Sequence, residues 1–290
     1  MLKASLIAPA GKIPKDNISL ALETLPQYGL IPLKGDYLDQ TQRYLAAKDE
    51  QRLNDLESAW KNESNDLVLC MRGGYGCARL LDKINWAELQ KSNNILIGHS
   101  DITALHLAFF TKGLKRSISG IMAAAEFIRE PDEELTLSSF RKCLKAELFD
   151  HDWSGTTIRE GDSQGRLIPV TLSVLCSLIG SDYLPSFKGS ILVLEDIGEC
   201  PYKIDRLLCQ LQLAGILGDI EALVFGDFND CGSTEELNEI FSEYAQYVNG
   251  PVMTGLAFGH CLPRLNLPVG ALAKLEVASG SAKLRIIKYD

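Results

Sequence analysis

Ile95-Leu-Ile-Gly-His-Ser-Asp-Ile-Thr-Ala-Leu-His106 decides how the first half of the chain is read. An apolar run, Ile95 to Ile97, meets Gly98 and then Ser100, and helical spacing follows from Ile102 to Phe110. A strand that turns this sharply into a helix lifts one hydroxyl off the backbone towards the incoming helix amides. The same strand-then-helix pattern precedes it. Ala4 to Pro9 predicts a strand, Asn17 to Leu25 a helix with Ile18, Ala21, Leu22 and Leu25 on one face, and Leu30 to Leu33 a strand. Tyr44 to Trp60 reads as a charged amphipathic helix, Asp66 to Met71 as a buried strand and Cys77 to Ile84 as a helix. Such alternation predicts an α/β fold with a doubly wound, largely parallel sheet and functional loops at the strand C-termini.

From about 128 to 165 the pattern breaks. Glu130-Pro-Asp-Glu-Glu, His151-Asp-Trp-Ser-Gly and Arg159-Glu-Gly-Asp-Ser-Gln-Gly are polar and turn-rich, which predicts a linker or crossover. The second half then predicts a helix over Val170 to Ile179, strands at Ser190 to Leu194 and Ala222 to Phe228, and helices at Tyr202 to Leu213 and Glu235 to Tyr247. Val269 to Tyr289 alternates around Ser279-Gly280-Ser281 as an antiparallel hairpin does. The expected organisation is an N-terminal domain over 1–127, a linker over 128–165 and a smaller mixed α/β domain over 166–290.

Bulk properties restrict the function classes. At 290 residues, 46% hydrophobic and 23% charged, the chain has enough apolar material for a sizeable core in one large or two smaller domains. A formal charge of -9 argues against nucleic acid or an anionic membrane as a partner, because both require a basic face. The apolar run before Pro9 is too short for a signal-peptide core, and no window reaches the length of a membrane span, so a cytoplasmic protein is expected. None of the eight cysteines forms a Cys-x-x-Cys pair, and there are four histidines, so reduced thiols and no metal or other cofactor are expected.

Several residues carry candidate chemistry, each beside a plainer reading. Ser100 can be a nucleophile, although Ser or Asp before a helix is commonly an N-cap, and no second glycine completes Gly-x-Ser-x-Gly. Arg72-Gly-Gly-Tyr-Gly76 lies between a strand and a helix. Its glycines can turn backbone N–H groups outward as an oxyanion hole or anion cradle, or simply make a tight turn. No Gly-Lys-Ser/Thr follows, which disfavours a nucleotide loop. Glu195-Asp196-Ile-Gly-Glu199 ends an apolar strand, where a carboxylate can orient an imidazole, and nothing local selects Glu195 over Asp196. Asp196 or Glu199 could equally cap the next helix, and Asp205-Arg206 suggests an ion pair. His260 sits in a Gly- and Pro-rich loop and suits a general base better than His106 on a helix, His151 in the linker or His99 beside the serine. Cys77 and Cys261 adjoin motifs but lack neighbours that would lower a thiol pKa.

Taken together, four segments resemble the LD-carboxypeptidases, the muramoyltetrapeptide carboxypeptidase family of serine peptidases. They are Met71-Arg-Gly-Gly-Tyr-Gly-Cys-Ala-Arg-Leu-Leu81, Gly98-His-Ser-Asp-Ile-Thr103, Leu194-Glu-Asp-Ile-Gly-Glu-Cys-Pro-Tyr202 with Asp205-Arg206, and Gly255-Leu-Ala-Phe-Gly-His260. The order and spacing match over almost the whole chain, and Gly-His-Ser-Asp with Ser177-Leu-Ile-Gly180 resembles the murein-recycling enzymes of Gram-negative bacteria in particular. The resemblance implies a Rossmann-like domain bearing the nucleophile, a C-terminal domain bearing Glu and His, a site at their interface, and a cytosolic homodimer that needs no metal. It implies Ser100 as nucleophile, His260 as base and then acid, and Glu195 as the residue that orients His260. It further implies the N–H groups of Asp101 and of the Gly73-Gly74 turn as oxyanion hole. The substrate would be a murein tetrapeptide that loses its terminal D-alanine.

Charge and nearness to these motifs make Arg72, Arg79 and Arg264 candidates for gripping substrate, with Tyr75 beside Arg72. Two departures from the family pattern stand out: Pro169-Val-Thr-Leu172 replaces Gly-Gly-Asn-Leu, and Gly120-Ile121 replaces Gly-Pro. Neither falls on Ser100, Glu195 or His260. Two other functions fit the same motifs: hydrolysis of microcin C-type peptide-nucleotides for self-immunity, and a non-catalytic peptide-binding module.

Overall fold

The computed structural model of the chain describes residues 1–114, 116–129, 131 and 133–289, which leaves Glu130 and Asp132 of the expected linker outside the described residues. The chain divides into two compact units, 1–140 with 182–185 and 141–181 with 186–290.

The first unit is built on five parallel strands: β1 (Leu2–Ile7), β2 (Leu30–Lys34), β3 (Leu67–Cys70), β4 (Leu96–Gly98) and β5 (Ser117–Ser119). Their order across the sheet, β5-β4-β3-β1-β2, is that of a doubly wound α/β fold, as expected. β3 and β4 are buried throughout, which explains their unbroken apolar runs. Helices α1 (Lys15–Thr24), α2 (Asp49–Lys61), α3 (Trp86–Leu89) and α4 (Thr103–Thr111) connect the strands. α4 buries every residue from Thr103 to Phe109, as a helix apolar on all sides must.

α2 begins five residues later than its sequence pattern suggests. Gln42 and Leu45 pair as an isolated bridge, Arg43 takes a left-handed φ of 57°, and the Gln51 side chain caps the helix by accepting from the Lys48 N–H. Residues 77–83 form a 3-10 helix, tighter than the α-helix expected there.

In the second unit an eight-stranded mixed sheet runs β6-β14-β13-β8-β9-β10-β11-β7. Its strands are β6 (Asp150–Ser154), β7 (Thr157–Arg159), β8 (Gly161–Thr171), β9 (Ser190–Ile197), β10 (Ala222–Asn229), β11 (Val252–Met253), β13 (Leu272–Ala278) and β14 (Ser281–Lys288). A two-residue strand β12 (Leu267–Pro268) precedes the hairpin, and β8 to β11 are mutually parallel. Helices α5 (Ser138–Leu144), α6 (Leu172–Ser177), α7 (Pro201–Leu213), α8 (Ile216–Asp219) and α9 (Thr234–Ala245) complete the set. The hairpin over β13 and β14 is the expected one.

Much of the stretch read as linker is sheet. β6 and the first half of β8 expose alternate residues, so their composition is that of a loop, while their backbone partners, β14 and β13, lie more than a hundred residues away. As a result the second unit is no smaller than the first. The helix expected from Val170 also starts late, because β8 continues to Thr171 beside β9. Pro169 is tolerated there because β8 has left β13 after Arg166 and needs its N–H on one side only.

One buried cation braces the first unit. Arg52 of α2 is 2% exposed and donates to the carbonyls of Pro9 and Gly76 and to Asp49. Asp49 is held well below the usual carboxylate range, chiefly by Arg79, with Arg52 and Lys83 adding to it. Arg52→Met keeps the volume but strands two buried carbonyls. It should lower unfolding free energy by about 3 kcal/mol, read as a reduced urea midpoint.

Candidate active site

Ser100 stands on the turn between β4 and the 3-10 turn Ser100–Ile102 that leads into α4. Its φ of 63° puts a non-glycine residue in the left-handed region, a conformation that costs of order 1–3 kcal/mol and persists only when its surroundings demand it. The side chain is part-exposed, and neither Ser100 nor Asp101 caps the helix. The Asp101 carboxylate turns away and accepts the Cys77 N–H at 2.8 Å, which ties the serine turn to the end of the Arg72–Gly76 loop. Burial pushes the Asp101 carboxyl above its ordinary value.

Gly73 explains part of that loop. A Cβ there would lie 2.7 Å from Ser100 Cβ and 2.8 Å from its Oγ, so only glycine lets the backbone approach the hydroxyl this closely. Gly74 adopts a φ of 115°, and the Gly73 carbonyl accepts from Gly11 N at 3.1 Å.

In the second unit, His260 Nδ1 lies 2.7 Å from Glu195 Oε2. A carboxylate opposite Nδ1 places the ring proton there and leaves Nε2 as the basic nitrogen of the neutral imidazole. Glu195 keeps 1% of its side-chain surface exposed and His260 keeps 18%. Gly259, with a φ of 122°, admits this contact, since a Cβ there would fall 2.8 Å from Glu195 Cβ and Oε2.

The choice between Glu195 and Asp196, open from the sequence, follows from strand geometry. Successive side chains of β9 point to opposite faces. Glu195 meets His260, whereas Asp196 accepts from the Ser173 N–H and hydroxyl and from its own neighbour Ile197 N.

The remaining candidates separate cleanly. His99 is buried with Nδ1 at 3.1 Å from Gly120 O, and His151 stacks on Trp153 in β6. His106 is fully buried with Nε2 at 2.7 Å from Gly98 O, so it is a neutral donor that supports the end of β4. Burial raises the Cys77 thiol well above its ordinary value and Cys261 to about 11, so neither is a thiolate at neutral pH. Arg79 is bound bidentately by Asp49 and Arg264 is 2% exposed, whereas Arg72 lines an open hollow with Tyr75. Asp205 accepts from the Tyr244 hydroxyl and Arg206 lies over the Tyr202 ring, so the expected ion pair is replaced by contacts within and between helices.

Four contributors were not legible in advance: the Asp101 side chain, Arg52, Asp227 and Thr171. Asp227 lies near Glu195, His260 and Arg264, with its carboxyl raised mainly by burial. Thr171 is the Cα partner of Glu195 across β8 and β9, and its hydroxyl donates to Glu195 Oε1. The departure Pro169-Val-Thr-Leu172 therefore does reach Glu195, through Thr171. The signal was present in that departure, but the register that gives it meaning is not local. Among the described residues no group of three His, Cys, Asp or Glu is placed to hold a metal ion, and no helix is long and apolar enough to cross a membrane.

A doubly wound unit followed by a mixed-sheet unit is the two-domain architecture of a family of carboxypeptidases. The LD-carboxypeptidase N-terminal domain matches residues 5–120 and the LD-carboxypeptidase C-terminal domain residues 164–275. The chain belongs to the LD-carboxypeptidase family. The murein tetrapeptide carboxypeptidase of Pseudomonas aeruginosa is 35% identical over 94% of this chain and 93% of its own length. The crystal structure of muramoyltetrapeptide carboxypeptidase from Oxalobacter formigenes superposes with a TM-score of 0.91 at 32% identity, covering 99% of both chains. The microcin C7 self immunity protein MccF shares the fold, with a TM-score of 0.89 at 21% identity over 99% of this chain and 97% of that one.

Two outcomes follow. Thr171→Val removes a hydrogen bond to a buried carboxylate and should cost about 1.5–3 kcal/mol of unfolding free energy, with Thr171→Ser close to wild type in the urea midpoint. The second concerns His106, whose pKa burial lowers from 6.5 to about 4. Below pH 6.5 the unfolded chain takes up a proton that the folded chain refuses, so stability present above pH 6.5 is lost as pH falls towards 4. His106→Gln should remove roughly 3 kcal/mol of that acid sensitivity, measured by urea unfolding at pH 7 and pH 4.

Proposed function

We propose that this protein is a serine LD-carboxypeptidase that removes the terminal D-alanine from a murein-derived tetrapeptide. The observation that carries the reading is the hydrogen bond between the buried Glu195 carboxylate and His260 Nδ1, which presets the imidazole as a base at Nε2. In the proposed reaction His260 takes the proton of Ser100 as its Oγ attacks the carbonyl of the diamino acid residue. The N–H groups of Asp101 and of the Gly73-Gly74 turn hold the oxyanion. His260 then protonates the amine of D-alanine, which leaves. Water, deprotonated by the same histidine, cleaves the acyl-enzyme and releases the tripeptide.

Support comes from each part separately. The serine is held in an unfavourable φ with its side chain part-exposed, and Gly73 brings backbone against its hydroxyl. The carboxylate is buried and fixed from a second side by Thr171. The reaction requires Ser100 Oγ and His260 Nε2 to meet during turnover. The reading includes a cytoplasmic homodimer that acts on wall-derived peptide, with the 1–127 and 166–290 segments as its catalytic domains.

Peptide-nucleotide hydrolysis is the second reading, and its support is likeness of fold. Incubation with murein tetrapeptide and, separately, with an aminoacyl-sulfamoyl adenosine distinguishes the two by mass spectrometry. The expected result is tripeptide plus D-alanine from the former, with Ser100→Ala slower by at least about 10³-fold. Wild-type rates in Ser100→Ala, or turnover of the adenosine compound alone, overturn the proposal.

A further inference from the structure

An open parallel sheet of order 2-1-3-4-5 binds ligands at the crevice between β1 and β3, where the strand order reverses. In this chain the loops that leave those two strands lie side by side, joined by the Gly11 N to Gly73 O hydrogen bond. Beside that bond is a hollow of about 330 Å³ lined by Gly11, Lys12, Tyr44, Arg72, Gly74 and Tyr75, all in the first unit.

Its charge is unusual for the molecule. The lining holds two cations and no carboxylate, in a chain of formal charge -9. Several other cations of this unit are matched: Lys34 with Asp39, Lys61 with Glu57, Arg79 and Lys83 with Asp49, and Lys91 with Glu88. Among the described residues neither Lys12 nor Arg72 enters an ion pair. Arg72 Nη1 donates to the Lys12 carbonyl at 3.1 Å, and Nη2 lies 4.0 Å from where a Gly74 Cβ would be. One arm of the guanidinium is thus anchored beside the glycine turn. The Tyr44 and Tyr75 rings, 5.8 Å apart, form a wall, with Arg43 over Tyr44 at 5.3 Å.

Gly73 is the spacer between this hollow and Ser100, its Cβ position falling 2.8 Å from the hydroxyl. One peptide residue spans about 3.5 Å, so the residue following a carbonyl attacked by Ser100 comes within reach of the hollow. We propose that the hollow binds the free C-terminal carboxylate of the peptide, with Arg72 as its bidentate partner and Lys12 as the second cation. This assignment rests on Ser100 being the nucleophile. It makes the enzyme an exopeptidase, because an internal peptide bond at that position offers no anion and would cover two cations without compensating them.

The test is binding, separated from turnover. Ser100→Ala is titrated by calorimetry with tetrapeptide as the free acid and as its C-terminal amide, with inorganic phosphate as a competitor. The acid should bind roughly 10- to 100-fold more tightly than the amide. Adding Arg72→Leu should bring the acid down to the amide level while the amide changes less than about twofold, and Arg72→Lys should restore part of the gap. No preference for the acid overturns the proposal, as does an equal loss for both ligands, which would make Arg72 a brace for the loop. Displacement of the acid and amide alike by phosphate would assign the hollow to a phosphoryl group instead. Cleavage that survives Ser100→Ala sinks the nucleophile reading through a separate measurement, whatever the acid–amide comparison gives.

Discussion

The Asp101 carboxylate is the small link on which the first unit's site depends. By accepting the Cys77 N–H it fixes the far end of the glycine loop to the residue that follows Ser100. Arg52 closes on Gly76 O at the same end and reaches Pro9 O in the loop after β1, so one buried carboxylate and one buried guanidinium pin the end of a loop that has little side chain of its own. Glycines permit the backbone to face a ligand but supply no packing that would keep it there. The rigidity has to come from outside the loop, and here it comes from charged side chains whose remaining hydrogen-bonding groups are largely satisfied in the interior. That arrangement also accounts for the tolerance of a left-handed serine, since the turn cannot relax without breaking the Asp101 contact.

The second unit solves a different problem with sheet geometry. Glu195 and Asp196 are both buried, yet alternation along β9 sends them to separate duties, one against His260 and the other onto the start of α6. Parallel pairing then places Thr171 beside Glu195 without a loop or a cap. His260 is brought in from a loop held by backbone bonds, Asp227 N to Phe258 O and Leu265 N to Ala257 O, rather than by its own side chain alone. An imidazole carried on such a loop stays partly exposed while its partner is sealed, which is the asymmetry that acid–base work requires.

Legibility in the sequence followed the range of the forces involved. The strand–turn–helix at Ser100, the buried strands β3 and β9 and the terminal hairpin were readable because burial periodicity and turn chemistry act over a few residues. The stretch 150–165, expected as linker, is largely sheet; half its surface faces water and its hydrogen-bond partners are distant, so its composition resembles a loop. The late start of α2 escaped for a related reason: the bridge of Gln42 with Leu45 competes with a helix that the amphipathic pattern alone favours.

Taken by itself, the sequence determined the α/β class, the serine turn, the glycine loop after β3 and the kinds of residue available for acid–base chemistry, all set by local patterning. Only the tertiary structure decided that Glu195 and not Asp196 faces His260, that Thr171 steadies it, that Arg79 is consumed by Asp49 while Arg72 is left beside a hollow, and that β1 and β3 bring Gly11 against Gly73. Those outcomes depend on register and on which side chains share a face across neighbouring strands. Such relations arise between segments tens to more than a hundred residues apart, and local patterning does not encode them.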